Sequence, residues 1–277
     1  MARGNAAKNE LMRRPGIATY LVTGVLAALA LTLIARVSAQ DWRSASQEPV
    51  GLAPDPARNP EPIVQVYAAR VIGWRGAFGV HTWVAVKPAA APEYTVYEVI
   101  GWRLRWQDSA LVIRHRAPDA RWFGAAPELV AEKRGAGVGS LIERIDRAAR
   151  AYPWAGEYTT WPGPNSNTFT AWVLRAVPEL EADLPPTAIG KDYSGIKFLG
   201  TAPSGVGFQF SLFGLVGLTT SRVEGLEINV LGLSFGLNPL DPSLKLPLIG
   251  RVGPSRHFSS LSAGASPPSG KKVVYAQ

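Results

Sequence analysis

Residues Trp161-Pro162-Gly163-Pro164-Asn165-Ser166-Asn167-Thr168-Phe169 constrain this chain more than any other stretch. Two prolines around a glycine end any regular element before them. The small polar residues that follow open a helix whose Phe169, Trp172, Val173 and Ala176 form one apolar stripe before Pro178. The first amides of a helix have no intrahelical partner and carry partial positive charge. Asn165 or Ser166 is an N-cap in the plain reading. In the sharper reading the same position stabilises a nucleophile or an oxyanion.

A second feature decides where the chain works. Pro15 to Ala35 contains no charged residue, and Arg3, Lys8, Arg13 and Arg14 precede it. Its length suits a membrane-spanning helix, and the basic flank places the N-terminus in the cytoplasm. The expected layout is a cytoplasmic basic segment over 1–14, a transmembrane anchor or signal segment over 15–36 and a tether over 37–62. A single α+β domain over 63–253 and a disordered Ser/Gly/Pro-rich tail over 254–277 complete it. The protein is then single-pass in the cell inner membrane with its main domain periplasmic, the membrane being its partner through the N-terminal helix. Val37-Ser38-Ala39 resembles a signal-peptidase site, so secretion after cleavage is the alternative.

Composition excludes several chemistries. There is no cysteine, hence no disulfide, thiolate metal site or cysteine nucleophile, and three histidines argue against a histidine metal site. No metal and no cofactor is expected. Of the net charge of +8, half lies in the first 36 residues, and the dispersed remainder does not suit nucleic acid.

Along the domain, Ile63–Ala69 reads as a strand. Val80–Lys87 alternates strictly, with Val80, Thr82, Val84 and Val86 on one face and His81, Trp83, Ala85 and Lys87 on the other. Tyr94–Ile100 and Leu111–Arg116 complete an antiparallel meander. Ser140-Leu-Ile-Glu143 has the form of a capping box and opens a helix over Leu141–Tyr152. Leu184–Tyr193 is a loop. Phe208–Leu218 and Leu226–Phe235, with Leu-Phe-Gly-Leu echoed by Val-Leu-Gly-Leu, read as a glycine-rich β-hairpin whose turn lies in Thr219–Gly225 and whose apolar face covers the core.

Three places can be joined into an acyl-transfer constellation: Ser166 as nucleophile at a helix start, His81 as base on a strand, and Glu98 as orienter on the next strand. Asn165, Asn167 and neighbouring amides are candidates for an oxyanion or ligand site. Trp74, Trp83 and Trp161 are candidates for an aromatic binding face, since all nine tryptophans lie between Trp42 and Trp172. Taken singly, each has a plainer role: His81 a hydrogen-bonded strand residue, Glu98 a solvent-facing one, the tryptophans core.

The motifs Trp74–Lys87, Trp161–Trp172 and Pro185–Tyr193 resemble the bacterial family called domain of unknown function 3750, over about Ala39–Gly253. That resemblance implies no activity. The order of strand histidine, polar strand residue and helix-opening nucleophile is similar to the circularly permuted NlpC/P60 branch of papain-like folds. The layout implies His81 for the histidine and Ser166 for the cysteine of that branch. It implies a papain-like α+β core, with the hairpin added, and an amidase, peptidase or acyl-transferase-like activity on cell-wall or lipid material. Serine is far less acidic than the cysteine it replaces, so no papain-type ion pair forms. The other reading is a non-catalytic envelope module that binds a wall fragment, lipid or protein through its tryptophan-rich face.

Overall fold

A computed structural model describes residues 43–253 of the chain. The expected anchor, the basic segment before it, the start of the tether and the tail lie outside the described residues. Among the described residues no helix is long and apolar enough to cross a membrane.

The first sheet has five antiparallel strands in the order β4-β3-β2-β1-β5. They are β1 (Ile63–Arg70), β2 (Val80–Lys87), β3 (Thr95–Val99), β4 (Leu111–His115) and β5 (Glu128–Arg134). The alternating segments read from the sequence form the first four. β5 escaped that reading because Glu128, Glu132, Lys133 and Arg134 dilute its pattern, as suits an edge strand. Both faces of the central strands are buried, so β1 and β2 are rich in Val, Ile and Ala and their polar residues, Gln65, His81, Thr82 and Lys87 among them, are buried too.

The two faces carry different cores. On one, Val64, Val84, Val86, Tyr97 and Val99 pack against α1 (Val138–Arg150) and α2 (Ser166–Arg175). On the other, Tyr67, Trp83, Ala85 and Val96 are covered by loops. Part of the expected tether supplies that cover. Val50 N–H donates to Asp119 O at 3.3 Å, and the amides of Leu52 and Ala53 donate to Asp119 Oδ2 at 2.6 and 3.2 Å. The described tether residues are thus docked on the domain.

α1 begins at Val138, three residues before the sequence reading. Its N-cap is Gly137, whose side chain can cap nothing, and Ser140 Oγ donates to Gly137 O instead. The capping box is therefore not made. α2 starts where expected, and Asn165 is its cap: the side chain accepts from Asn167 N–H and Thr168 N–H, while Thr168 Oγ1 accepts from Asn165 N–H. The peptide bonds Trp161-Pro162 and Gly163-Pro164 are cis.

The expected hairpin is a larger structure. Seven antiparallel strands run in sequence order: β6 (Leu199–Gly200), β7 (Phe208–Leu212), β8 (Val216–Ser221), β9 (Gly225–Val230), β10 (Leu233–Asn238), β11 (Ser243–Leu246) and β12 (Gly250–Val252). Each of the two expected strands is itself a hairpin, folded at Phe213-Gly214 and at Leu231-Gly232. The β8–β9 turn does fall within Thr219–Gly225.

Its apolar face does not cover the core, contrary to the expectation. In β7, β8 and β9 the exposed positions are apolar except Thr220, and the buried positions are polar residues or glycine. Glu227 lies between two lysines, Lys191 Nζ at 2.5 Å and Lys245 Nζ at 2.6 Å, and Lys245 also reaches Asp183 at 2.6 Å. Asp192 accepts from Gln209 and Asn229 at 2.7 and 2.9 Å. Charges buried in this way persist only because each is paired and hydrogen-bonded. Burial alone pulls the Lys191 ammonium toward neutrality, but Asp192 and Glu227 outweigh it and raise its pKa.

Three turns at one end of this sheet hold a large apolar residue in the left-handed region: Phe213 (φ 52°), Leu231 (φ 53°) and Leu248 (φ 69°). Asn, Asp or Gly is favoured there, and other L-residues are strained by about 1–2 kcal/mol.

Candidate functional site

A cavity of about 440 Å³ opens at the end of the first sheet where β2 begins. The start of β2, the end of β3, the start of α2 and the Leu231 turn all contribute to its wall. His81, Asn165, Ser166 and Asn167 line it, as do Trp74 and Trp161. A second, shallower depression beside α1 holds the Asp146–Arg150 surface ion pair and no oriented catalytic pair.

His81 reaches the cavity from an unexpected side. Its neighbour Thr82 donates to Asn167 Oδ1 at 3.0 Å and shares a hydroxyl–hydroxyl hydrogen bond with Thr170 Oγ1 at 2.8 Å, so Thr82 faces α2. Alternation then turns His81 to the opposite face. There its ring stacks on Trp122, centroids 3.7 Å apart, and its Nε2 meets Glu98 Oε2 at 3.1 Å. Glu98 projects from the same face of β3 and is fully buried. It is therefore no solvent-facing strand residue.

Two arginines hold Glu98: Arg114 Nη2 lies 2.9 Å from Oε1 and Arg116 Nη2 3.5 Å from Oε2. The Arg116 guanidinium also lies over the Trp83 ring, 5.2 Å from its centroid. Burial by itself pushes the Glu98 carboxyl up, but the His81 hydrogen bond and the guanidiniums outweigh it and bring the pKa down to about 2. Burial lowers the His81 pKa; Glu98 opposes this and the two arginines reinforce it. At neutral pH the pair is therefore a neutral imidazole against a carboxylate. With Nε2–H directed at Glu98, Nδ1 is the basic nitrogen, and it makes no hydrogen bond among the described residues.

The sequence did not single out Arg114, Arg116 or Trp122. The signal for the arginines was present: Glu98 pairs with Val112 across β3 and β4, so Arg114 and Arg116 lie two and four residues further along the same face. Nothing local marked Trp122, which arrives from a loop.

Ser166 is buried at the first position of α2. Its side chain neighbours that of Tyr158, whose pKa burial raises and this neighbour lowers. No hydrogen bond joins Ser166 to His81. The cap belongs to Asn165, and the Ser166 N–H has no partner among the described residues.

The other expected binding residues divide. Asn165 Nδ2 donates to Thr160 O and Ile189 O at 3.1 and 3.0 Å, and Asn167 Nδ2 to Val80 O and Ile189 O at 3.0 and 2.8 Å. Both amides are spent on holding the Ile189 loop against the helix start. Gly190 follows that loop at φ 94°, and a Cβ there would strike the Asn165 amide. Trp83 is wholly buried, stacks on Tyr67 and donates to Pro118 O at 2.8 Å. It is a core residue and does not line the cavity. Trp74 and Trp161 do line it and are half exposed. Among the described residues no group of three acidic or histidine side chains is placed to hold a metal ion.

Fold and site together define a two-sheet α+β protein in which His81, paired with buried Glu98, and a helix start line one cavity. Residues 61–193 match the family described as protein of unknown function (DUF3750), and the chain carries a DUF3750 domain over those residues. The match spans the first sheet, both helices and the Ile189 loop; the seven-stranded sheet follows it. No curated protein and no solved structure matches the chain.

Proposed function

We propose that the cavity is the active site of a serine-dependent acyl hydrolase or acyltransferase. The observation that carries this reading is the orientation of His81 by a buried, ionised Glu98 on the wall that Ser166 also lines. In the proposed reaction Ser166 Oγ attacks the carbonyl carbon of an ester or amide and its proton passes to His81 Nδ1. The tetrahedral oxyanion is held by the Ser166 N–H at the positive end of α2. Collapse breaks the bond to the alcohol or amine, which leaves with the proton from His81. Water, deprotonated by the same nitrogen, then releases the acyl group as the acid.

His81 and Ser166 must close on each other during this cycle, since they are not hydrogen-bonded in the resting structure. Catalytic hydrogen bonds commonly tighten when substrate binds. The layout, a histidine on a strand preceding a helix-opening nucleophile, supports a permuted NlpC/P60-like, papain-type core. Export behind the uncharged Pro15–Ala35 run supports an envelope substrate.

A second reading has its own support. Ser166 makes no hydrogen bond to His81, and the cavity is walled largely by Trp74, Phe78, Trp102, Trp161 and Leu233. That is the lining of a non-catalytic module that binds an apolar or aromatic ligand. Labelling by a serine-reactive fluorophosphonate separates the two. The enzyme reading expects wild-type protein to label and folded Ser166→Ala and His81→Ala not to. Equal labelling of all three would remove it.

A further inference from the structure

The second sheet has the polarity of its two faces reversed. An antiparallel sheet with one free face normally turns polar residues to water. Here the outward positions include Phe210, Leu218, Leu226, Ile228, Val230 and Leu237, each more than a third exposed, and the strand residues on that face include no acidic or basic side chain. At a strand spacing of about 4.8 Å and five or six residues per strand, the face covers on the order of 500 Å² in projection. That is at the upper end of the apolar patches monomers expose.

The turns carry an independent signal. Antiparallel order places 213–215, 231–232 and 247–249 at one end and 222–224 and 239–242 at the other. The first end exposes Phe213, Leu231, Leu248 and Ile249, joined by Ile196 and Phe198 ahead of β6. The second exposes one large apolar residue, Leu240, beside Arg222, paired with Glu181, and the Asp241–Arg251 pair. Surface turns favour small polar residues, yet at the first end three strained left-handed positions hold Phe or Leu. Folding alone gives no reason to keep them.

The flanks of that end are aromatic and basic. Trp161 Nε1 donates to Leu231 O at 2.9 Å, and Arg70 Nη2 to Leu248 O at 3.2 Å. Exposed Trp74 carries the Arg75 guanidinium 5.3 Å from its ring, and Lys197 lies between Ile196 and Phe198. No Asp or Glu occurs in segments 70–79, 194–200, 213–215, 231–233 or 247–250. Tryptophan and basic residues around an apolar tip match the polar–apolar boundary of a bilayer with anionic headgroups.

From these observations we infer that the seven-stranded sheet is a lipid-docking surface, its apolar face and the Phe213, Leu231 and Leu248 turns entering one leaflet of a bilayer. The strands are too short to span, since a spanning strand needs about 9–11 residues. Both edges, β6 and β12, are unclosed, so the sheet lies in the interface rather than crossing as a barrel. A protein partner would be met by a rim carrying both signs of charge around the apolar centre; the flanks at the turn end are basic and lack any acidic residue. The expected anchor segment ends at Arg36 and the described fold begins at Arg43, so a fully extended connection reaches at most roughly 25 Å. Such a leash holds the domain against the membrane.

The same edge meets the cavity. Leu231 and Leu233 belong to both, so an acyl chain leaving the leaflet passes directly to the walls around Ser166. That final step alone rests on the proposed function; the docking surface does not.

The absence of cysteine allows single-cysteine labelling of the full chain. Ile228→Cys, Ile249→Cys and, at the polar end, Arg222→Cys are labelled with a nitrobenzoxadiazole fluorophore. Each is reconstituted into phosphatidylethanolamine–phosphatidylglycerol vesicles with or without doxyl-labelled lipid. Doxyl quenching several-fold greater at 228 and 249 than at 222 is expected. Equal quenching at all three sites overturns the inference, as does a blue-shifted probe at 228 that doxyl lipid leaves unquenched, the mark of a second copy or another protein over the face. Phe213→Asn with Leu248→Asn supplies the residue type those backbone positions favour. The melting temperature should hold or rise while quenching at 228 falls; undiminished quenching would remove the turns from the docking surface. None of these readouts depends on activity, so failure of the hydrolase reading leaves them intact.

Discussion

The imidazole of His81 is held between Trp122 and Glu98: stacked on the indole at 3.7 Å between centroids, and hydrogen-bonded through Nε2 to the carboxylate at 3.1 Å. Both contacts fix the ring plane, and the second fixes the tautomer. A histidine placed for packing alone needs neither a buried carboxylate nor the two guanidiniums that keep it ionised. Stability, pH response and chemistry all follow from this arrangement.

Glu98→Gln keeps the shape and removes the charge. Arg116, itself largely buried, then loses its counter-ion, and the His81 partner becomes an amide. Urea denaturation should show a loss of about 2–3 kcal/mol. A loss below about 0.5 kcal/mol would mean that the carboxylate is solvated and the pair is not a structural unit.

Acidification should destabilise the protein in two stages. His81 has a folded-state pKa below its ordinary 6.5, so below that pH the unfolded chain takes a proton that the folded one refuses. Stability therefore falls as pH drops through 6.5 and levels off only once the folded imidazole protonates. Glu98 falls from 4.5 to about 2, so its contribution is complete above 4.5 and is lost as pH falls toward 2. At about 1.4 kcal/mol per unit the second stage amounts to roughly 3 kcal/mol. An NMR titration of the His81 ring checks the first stage: a midpoint at or above 6.5 would contradict it.

Lys245→Met leaves Asp183 and Glu227 facing each other across an apolar stem, with only Lys191 to offset Glu227. Removing one partner of a buried ionic group costs about 3–5 kcal/mol. Paired with Glu227→Gln, the double variant should cost less than the sum of the singles. Additive losses in a thermodynamic cycle would show that the three groups are not one unit.

Gly190→Ala tests the clamp between the Ile189 loop and the start of α2. The residue sits at φ 94°, and its new Cβ would strike the Asn165 amide. Loss of the cap alone is worth about 1 kcal/mol, and backbone strain adds to it, so a fall of about 2 kcal/mol or more is expected by chemical denaturation. An unchanged midpoint would mean that the loop is not seated on the helix start.

Much of the first sheet was legible because its strands obey simple rules. β2 alternates over its whole length, and the Pro-Gly-Pro stretch marks the start of α2 to the residue. The polar side chains at that start were read correctly as a cap, with Asn165 carrying it. The direction of His81 was also legible, since it had been set opposite Thr82. That this turns it away from α2 required knowing which face the helix covers. The second sheet was misread for a physical reason. Apolar residues were assumed to face inward, whereas Glu227, Lys245, Asn229 and Gln209 face inward and Phe210, Ile228 and Leu237 outward. Alternation gives the period of a strand and not which side is wet. The Phe213-Gly214 and Leu231-Gly232 turns were hidden because a large apolar residue stands where Asn or Asp usually marks a turn. Trp83 illustrates the limit of reading tryptophans as binders: it shares a strand with His81 and belongs to the core.

The most direct measurement is the location of a fluorophosphonate adduct by peptide mass spectrometry on the folded full-length chain, followed across pH. Ser166→Ala is a clean control because the cap is made by Asn165; it should cost about 1 kcal/mol or less. The proposed chemistry requires the adduct on Ser166, with a labelling rate that rises with pH through a midpoint below 6.5, as His81 becomes neutral. A folded chain that labels at another serine, or labels at Ser166 equally well when His81 is replaced by alanine, would contradict it.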